Sequence, residues 1–269
     1  MSATPNNLAL VGAGKMGAAL LGGWLTAGFP PSAIAIYEPF PSDEIKALAA
    51  AKGIALNPAS APAEVVVLAI KPQMLEHAAP ALASLLAPGA LVLSILAGKT
   101  VANLAARLPA QAIVRAMPNT PAAIGRGITG AYASSAVTPA QRATAQSLLS
   151  GVGAVEWVET EGLIDAVTAI SGSGPAYIFH LVEAMAAAGA ALGLPAELSL
   201  RLARATVEGS GELLHRSPEI GADQLRKNVT SPGGTTQAAL EVLMAPDGLT
   251  ALMAQATEAA RRRAEELSG

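Results

Sequence analysis

Cysteine is absent from this 269-residue chain, which excludes disulfides, thiolate zinc sites and cysteine nucleophiles. Aromatic side chains make up only 3% and the formal net charge is -3, so the chain lacks the stacking platforms and basic surface typical of nucleic-acid binding. The first residues, MSATPNN, lack the basic-then-apolar pattern of a secretory signal, which predicts a cytoplasmic protein. The three histidines lie in dissimilar contexts, so no metal site is expected.

One long uncharged run extends from Ala78 to Gly98. Its length suits a membrane span, but Pro88-Gly89 divides it into a helix-like half and a strand-like half, ALVLSIL. The alanine-rich stretch AMAAAGAALGL is likewise interrupted by glycines. The first run is therefore interpreted as buried core and the alanine-rich stretch as a packed helix, and no membrane partner is expected.

The apolar content is 52%, and its pattern changes once along the chain. From Leu8 to about Val158, short β-branched runs alternate with helix-length segments. This alternation predicts an α/β fold, with an N-terminal Rossmann-like, doubly wound parallel sheet in a dinucleotide-binding domain over residues 1–161. The runs interpreted as strands are LALVG, IAIY, IALN, EVVVLAI, ALVLSIL, AIVRAM and VGAVEWV.

Beyond about Glu161 the apolar spacing is helical and no strand is evident. This predicts an all-helical C-terminal domain over residues 162–269. The two domains are expected to join through a long helix that begins near Leu163 and can kink at Pro175.

A glycine fingerprint follows the first predicted strand. LALVGAGKMG places Gly12, Gly14 and Gly17 in G-x-G-x-x-G order at the start of a predicted helix. The first glycine permits a tight turn, the second a close approach of a pyrophosphate, and the third close packing of helix on sheet. Lys15 and Met16 lie inside the motif and are further cofactor-binding candidates. The context predicts a dinucleotide site.

Glu38 follows the second predicted strand, 21 positions after Gly17. A carboxylate there accepts hydrogen bonds from an adenosine ribose and repels a 2′-phosphate. The predicted cofactor is therefore NAD(P)H, with a slight tilt to NADH. A solvated surface glutamate is the alternative, and it stays open.

The segment SPGGTT, which begins at Ser231, stands directly before the helical run QAALEVL. If the helix starts near Gly233, the unpaired amides of Gly234, Thr235 and Thr236 point outward, where the helix dipole favours an anion. Ser231 is then placed to cap the helix. Two adjacent glycines contribute nothing to an ordinary N-cap and cost helix stability, which favours an anion site over a plain cap.

Five segments, taken in order, resemble the pyrroline-5-carboxylate reductase family over nearly the whole chain: AIKPQ, SILAG, RAMPNTPAAIGRG, DAVTAISGSGPAY and NVTSPGGTT. The resemblance implies hydride transfer from a nicotinamide to the C=N bond of 1-pyrroline-5-carboxylate, giving L-proline in the last step of proline biosynthesis. It also implies that the helical domain, residues 162–269, serves substrate binding and dimerisation and forms a homodimer, with dimers commonly assembled into a larger ring.

The same resemblance assigns roles to individual residues. It makes Thr236 the catalytic candidate, as hydrogen-bond donor or proton relay near the ring nitrogen, with solvent as the alternative proton source. It assigns the substrate carboxylate to Ser231, Gly233, Gly234 and Thr235. It assigns further cofactor contacts to Asn57, Ala69, Lys71, Ala97 and Asn228.

Three further features lie near the predicted strands, and one of them keeps a second interpretation. A surface lysine that ends a strand is the open alternative for Lys71. The MPNTPA loop is expected to shape the pocket, and Arg115 is interpreted as a strand-end charge.

Two other functions fit parts of the sequence. A β-hydroxyacid dehydrogenase shares the order of domains but uses a lysine on the interdomain helix, and no lysine occurs between Lys99 and Lys227. A non-catalytic nucleotide-binding regulator needs no substrate pocket, and the SPGGTT segment argues against it.

Overall fold

The structure, a computed structural model, describes residues 5–59 and 61–268. The described chain divides into two compact units. The sheet unit contains residues 5–172 and 260–268, and the helical unit contains residues 173–259.

The sheet unit is built on eight strands in the order β3-β2-β1-β4-β5-β6-β7-β8. Neighbouring strands are parallel except β6 and β7, which are antiparallel. The strand order reverses at β1 and β4, and doubly wound sheets bind ligands at this switch point. The predicted Rossmann-like sheet is confirmed. The strands are β1 Leu8–Val11, β2 Ile34–Tyr37, β3 Ala55–Leu56, β4 Ala63–Leu68, β5 Leu86–Ser94, β6 Ile113–Met117, β7 Gly127–Ala133 and β8 Gly153–Trp157.

Helices cover both faces of this sheet, because successive strand residues point to opposite sides. Leu10 and Leu93 belong to one core cluster, together with Trp24 from α1. Val66 and Leu68 belong to the other. The helices of the sheet unit are α1 Lys15–Thr26, α2 Asp43–Lys52, α3 Leu75–Ser84, α4 Val101–Ala105, α5 Pro139–Ser150 and α6 Leu163–Val167.

Strand β7, GITGAYA, was not predicted, because its glycines obscure the β-branched pattern. Tertiary packing explains these glycines. A Cβ at Gly130 would lie 2.5 Å from Val167 Cγ1, and one at Gly127 would lie 2.8 Å from the Val152 carbonyl oxygen. The neighbouring elements therefore occupy the space that larger side chains would fill at these two positions of the strand.

The run around Pro88-Gly89 also differs from its prediction. Strand β5 already begins at Leu86, so the Pro-Gly pair lies inside the strand and not before it. The pairing of β4 with β5 shifts register between Ala63 and Val65, which accommodates the irregularity. Among the described residues, no helix has the length and hydropathy needed to span a membrane.

The expected long helix near Leu163 is interrupted. Helix α6 gives way to a π-helical turn, Thr168–Gly172, before α7 begins at Gly174. A Cβ at Gly172 would lie 2.7 Å from Met117 Cε, so glycine permits close packing on the end of β6. Pro175 stands in the first turn of α7, where its missing N–H costs nothing.

The helical unit, all of whose residues are described, contains helices and no strand. Helices α7 and α8 pack together, and Ser199 Oγ donates to the Ala186 carbonyl at 2.6 Å. Ser199 and Ala203 are the two buried residues of the unit. The helices that begin in it are α7 Gly174–Ala191, α8 Ala196–Arg216, α9 Ala222–Asn228, α10 Thr235–Leu243 and α11 Leu249–Ser268, and α11 ends in the sheet unit.

Candidate active site

The glycine fingerprint lies at the carboxyl end of β1. Gly12 has φ +95, and its N–H donates to the Tyr37 carbonyl at 2.9 Å. A Cβ at Gly12 would lie 2.6 Å from the Ala69 carbonyl carbon, and one at Gly17 would lie 2.1 Å from the Gly12 oxygen. The packing of the turn itself therefore requires glycine at both positions.

Gly14 differs, because a Cβ there would meet no described atom within 4 Å. This residue is the N-cap of α1, no side chain caps the helix, and its first turn carries no acid. Lys15, the first residue of the helix, is exposed and has no ion-pair partner among the described residues. A cation at a helix start is unfavourable with the dipole unless an anion is present. The Met16 side chain packs against the core.

Glu38 follows β2 and reaches back to the fingerprint. Its Oε2 accepts the N–H of Ala13 at 3.0 Å, and its Oε1 accepts the N–H of Phe40 at 3.0 Å. The carboxylate is thus fixed beside the glycine turn and is not a freely solvated surface group.

Asn57 forms a reciprocal pair with the backbone of Glu38. The Glu38 N–H donates to Asn57 Oδ1 at 2.8 Å, and Asn57 Nδ2 donates to the Glu38 carbonyl at 2.8 Å. Asn57 has φ +48, a left-handed conformation that asparagine tolerates better than most residues. Its side chain therefore holds the end of β2 in place.

Two further loops complete this edge of the sheet. The Ala69 N–H donates to the Val11 carbonyl at 2.7 Å, and exposed Lys71 precedes a short 3-10 helix. Ala97 is exposed in the loop after β5, beside buried Gly98. The fingerprint, Glu38, Asn57, Ala69, Lys71 and Ala97 thus share the carboxyl edge of one sheet.

Two polar residues of the RAMPNTPA segment are buried. The interpretation of Arg115 as a strand-end charge is wrong, since it is 3% exposed and pairs with Glu161 and Asp165. An arginine inside the apolar run AIVRAM was the available signal, because a buried cation needs carboxylate partners. Asn119 is buried, and its Oδ1 accepts the Ile128 N–H at 2.9 Å, which ties this loop to β7.

In the helical unit, α10 starts at Thr235 and not at Gly233, with Gly234 as N-cap. The expectation that Ser231 caps the helix is wrong, because no side chain caps it; the Ser231 carbonyl instead accepts the Gly234 N–H at 3.0 Å. The Gly234 amide is therefore not free. Gly233 has φ +72 in the turn after Pro232. This left-handed conformation favours glycine and explains why a glycine stands at this position.

The first turn of α10 keeps unsatisfied donors. The Gly233 N–H donates to Gln237 Oε1 at 2.7 Å, so the turn before the helix is internally bonded. Within the helical unit, no described residue accepts the backbone N–H groups of Thr235 and Thr236. Thr236 is half-buried. Asn228, at the end of α9, lies in the same unit and accepts Gln224 Nε2 at 2.8 Å.

Comparison with protein-family models gives two matches. Residues 161–267 match pyrroline-5-carboxylate reductase dimerisation, and residues 7–98 match NADP oxidoreductase, coenzyme F420-dependent.

Curated and solved relatives cover almost the whole chain. Pyrroline-5-carboxylate reductase of Pseudomonas aeruginosa is 43% identical over 97% of this chain and 96% of its own length. The structure of a pyrroline-5-carboxylate reductase from Coxiella burnetii has a TM-score of 0.90 and 36% identity, covering 99% of each chain. The Plasmodium falciparum pyrroline carboxylate reductase with NADP bound has a TM-score of 0.77 and 26% identity, also over 99% of each chain. The chain therefore belongs to the pyrroline-5-carboxylate reductase family.

Proposed function

We propose that this protein reduces the C=N bond of 1-pyrroline-5-carboxylate with NAD(P)H, giving L-proline. One observation carries the proposal: α1 and α10 each begin behind a glycine with no side-chain cap and with no acidic residue in the first turn, whereas α6 and α9, which also follow glycines, carry an acid there. Each such start presents free amides and a favourable dipole to an anion. The reaction needs two anion sites, for the cofactor pyrophosphate and for the substrate carboxylate.

The cofactor site is proposed at the sheet edge. The open space beside Gly14 and the uncapped start of α1 suit a pyrophosphate, with Gly12, Lys15, Met16 and Gly17 completing the turn. A bound nicotinamide supplies the hydride. The further cofactor contacts proposed are Ala69, Lys71, Ala97, Asn57 and Asn228.

A preference for NADH is proposed from the loop after β2. The stretch from Glu38 to Glu44, EPFPSDE, holds three carboxylates and no lysine or arginine. A 2′-phosphate would meet repulsion there without a cationic partner. Amides of Ala13 and Phe40 hold the Glu38 carboxylate at this place, and each oxygen retains a lone pair for a ribose hydroxyl.

The substrate carboxylate is proposed to bind the free amides of Thr235 and Thr236, with Ser231, Gly233 and Gly234 forming the turn beside it. The Thr236 hydroxyl is proposed to hydrogen-bond the ring nitrogen, which makes the C=N carbon a better hydride acceptor. Threonine is a weak acid, so in this scheme it relays or orients a proton that comes ultimately from solvent.

The assembly proposed is a homodimer formed by residues 162–269, with dimers joined into a ring, in the cytoplasm. Residues 1–161 then form the dinucleotide-binding domain. The exposed apolar side chains of α7, among them Ile178 and Phe179, support a self-association surface in the helical part.

Thr236→Ala tests the site. We expect kcat to fall at least tenfold because the hydrogen bond to the reacting nitrogen is lost, while the KM for NADH stays unchanged. Thr230→Ala in the same unit is the matched control, since its hydroxyl is occupied by the Arg226 carbonyl. Unchanged kcat and KM in Thr236→Ala would refute the role. A panel of β-keto acids beside pyrroline-5-carboxylate tests the activity itself, and comparison of NADH with NADPH tests the preference.

A further inference from the structure

A buried ion cluster lies in the sheet unit, outside the residues assigned to cofactor and substrate. Arg115 Nη2 lies 3.1 Å from Asp165 Oδ1, and its Nη1 lies 3.4 Å from Glu161 Oε1. The arginine is on β6, while the acids flank the start of α6. An arginine so deeply buried requires carboxylates, because an unpaired charge there would strongly destabilise the fold.

Glu161 also reaches a second element. Its Oε1 accepts the N–H of Val101 at 2.7 Å, and Val101 is the first residue of α4. An amide at this position has no acceptor within its own helix, and the dipole favours a carboxylate beside it. Glu161 therefore fixes the start of α4, while Arg115 fixes Glu161.

The segment before α4, residues 95–100, is called the β5–α4 loop. Its opposite side contacts the end of α11: a Cβ at Gly98 would lie 2.9 Å from the Leu267 carbonyl oxygen. The next residue, Ser268, has its Oγ 3.3 Å from Asp165 Oδ1 and 3.4 Å from Arg115 Nη2. One ion cluster thus supports the loop from two directions.

The β5–α4 loop stands at the carboxyl edge of the sheet. The Ile95 N–H donates to the Leu68 carbonyl at 3.0 Å, which places the loop beside the segment from Ala69 to Lys71. Ligands of doubly wound sheets bind outside the carboxyl ends of these strands. The shape of the loop therefore decides where exposed Ala97 meets a cofactor.

We propose that Glu161 is a positioning residue for the nicotinamide dinucleotide. Held by Arg115, it binds the Val101 amide and fixes the β5–α4 loop in its cofactor-binding shape. Glu161 touches neither cofactor nor substrate and acts through the loop. This inference rests on the proposed contact of Ala97 with the cofactor.

Glu161→Ala is the direct test, with Glu159→Ala, an exposed acid two residues earlier, as matched control. We expect the KM for NADH to rise about fivefold, as for loss of a helix cap, while the KM for the imine stays unchanged. Glu161→Gln keeps an oxygen acceptor for the Val101 N–H and should recover part of the loss. Thermal melting of each variant verifies that it is folded.

An unchanged KM for NADH in Glu161→Ala, with or without a lower melting temperature, would overturn the proposal. So would an equal rise in Glu159→Ala. Ala97→Leu separates this inference from the proposed site, since it places bulk directly in the loop. If Ala97→Leu raises the KM for NADH and Glu161→Ala does not, the positioning role alone is wrong. If neither raises it, the proposed contact of Ala97 is wrong and the inference falls with it.

Discussion

The sheet unit and the helical unit bury their apolar side chains very differently. In the sheet unit, strands and helices enclose two core clusters, and large side chains such as Trp24 and Leu93 are fully buried. In the helical unit, α7 is just as apolar in sequence, yet it has no buried residue. Ile178 and Phe179 on this helix are exposed. An apolar helix is therefore not evidence of a core within its own chain.

The difference indicates two sources of stability. The sheet unit is stabilised by contacts inside one chain, whereas the matched dimerisation segment, residues 161–267, includes the whole helical unit. A subunit whose apolar surface is covered by a second subunit gains stability by mass action. The two units should therefore respond differently to substitution.

Trp24→Ala should have the largest effect, in the sheet unit. Trp24 is 0% exposed, and its Nε1 donates to the Leu148 carbonyl at 2.8 Å. We expect the free energy of unfolding to fall by about 3–5 kcal/mol, because a large cavity and an unpaired carbonyl remain. Urea denaturation should give this loss at every protein concentration. Half-buried Trp157→Ala is the control and should lose less; an equal loss would contradict the argument.

Phe179→Glu should come next, in the helical unit. Phe179 is 63% exposed, so a charge there costs the isolated subunit little but opposes burial against a second copy. We expect self-association to weaken about 100-fold or more, measured by sedimentation velocity. Phe40→Glu, at a position 90% exposed in the sheet unit, makes the same change and should leave assembly intact. Sedimentation of Phe179→Glu like the wild type would show that α7 is not an interface.

Removing an exposed ion pair should have the smallest effect on stability, and the effect should be similar in both units. The hydrogen bond from Arg107 lowers the pKa of Glu76 in the sheet unit, and that from Lys227 lowers the pKa of Asp223 in the helical unit. A folded-state pKa below the unfolded value stabilises the protein above the unfolded pKa, and this contribution is lost as pH falls through the folded pKa.

Glu76→Gln and Asp223→Asn should each lower the melting temperature slightly at neutral pH. The difference from wild type should vanish as the medium is acidified through the lowered pKa values, and high salt should reduce it. A difference that persists in acid would show that packing, and not the ion pair, is responsible.

The sequence predicts features that depend on local pattern. Such patterns predict the apolar strands, the fingerprint at Gly12 and the helical second part. They can do so because the side-chain periodicity of strands and helices and the backbone freedom of glycine act within a few residues. Strand β7 and the burial of Arg115 depend on partners far along the chain, Val167 and Glu161 among them. No local rule reports such contacts.

The same limit applies to the SPGGTT segment. Its glycines and following helix are visible in the sequence, but the exact helix start is not. The bond from the Gly234 amide to the Ser231 carbonyl removes one expected donor, and the free amides are those of Thr235 and Thr236. The expected kind of site stays a prediction, while the helix begins at Thr235, two residues later than expected, and such a shift is common at helix ends.

The path of α11 determines how this chain could be divided. The helical unit, residues 173–259, is an insertion, because the chain returns to the sheet unit at residue 260 within α11. A fragment cut after Gly172 would therefore lack Leu267 and Ser268, which contact Gly98 and Asp165. The helical insertion is also tethered at both ends, which restricts its unfolded conformations more than a single linker would. Cleavage within α11 is thus expected to affect both units at once.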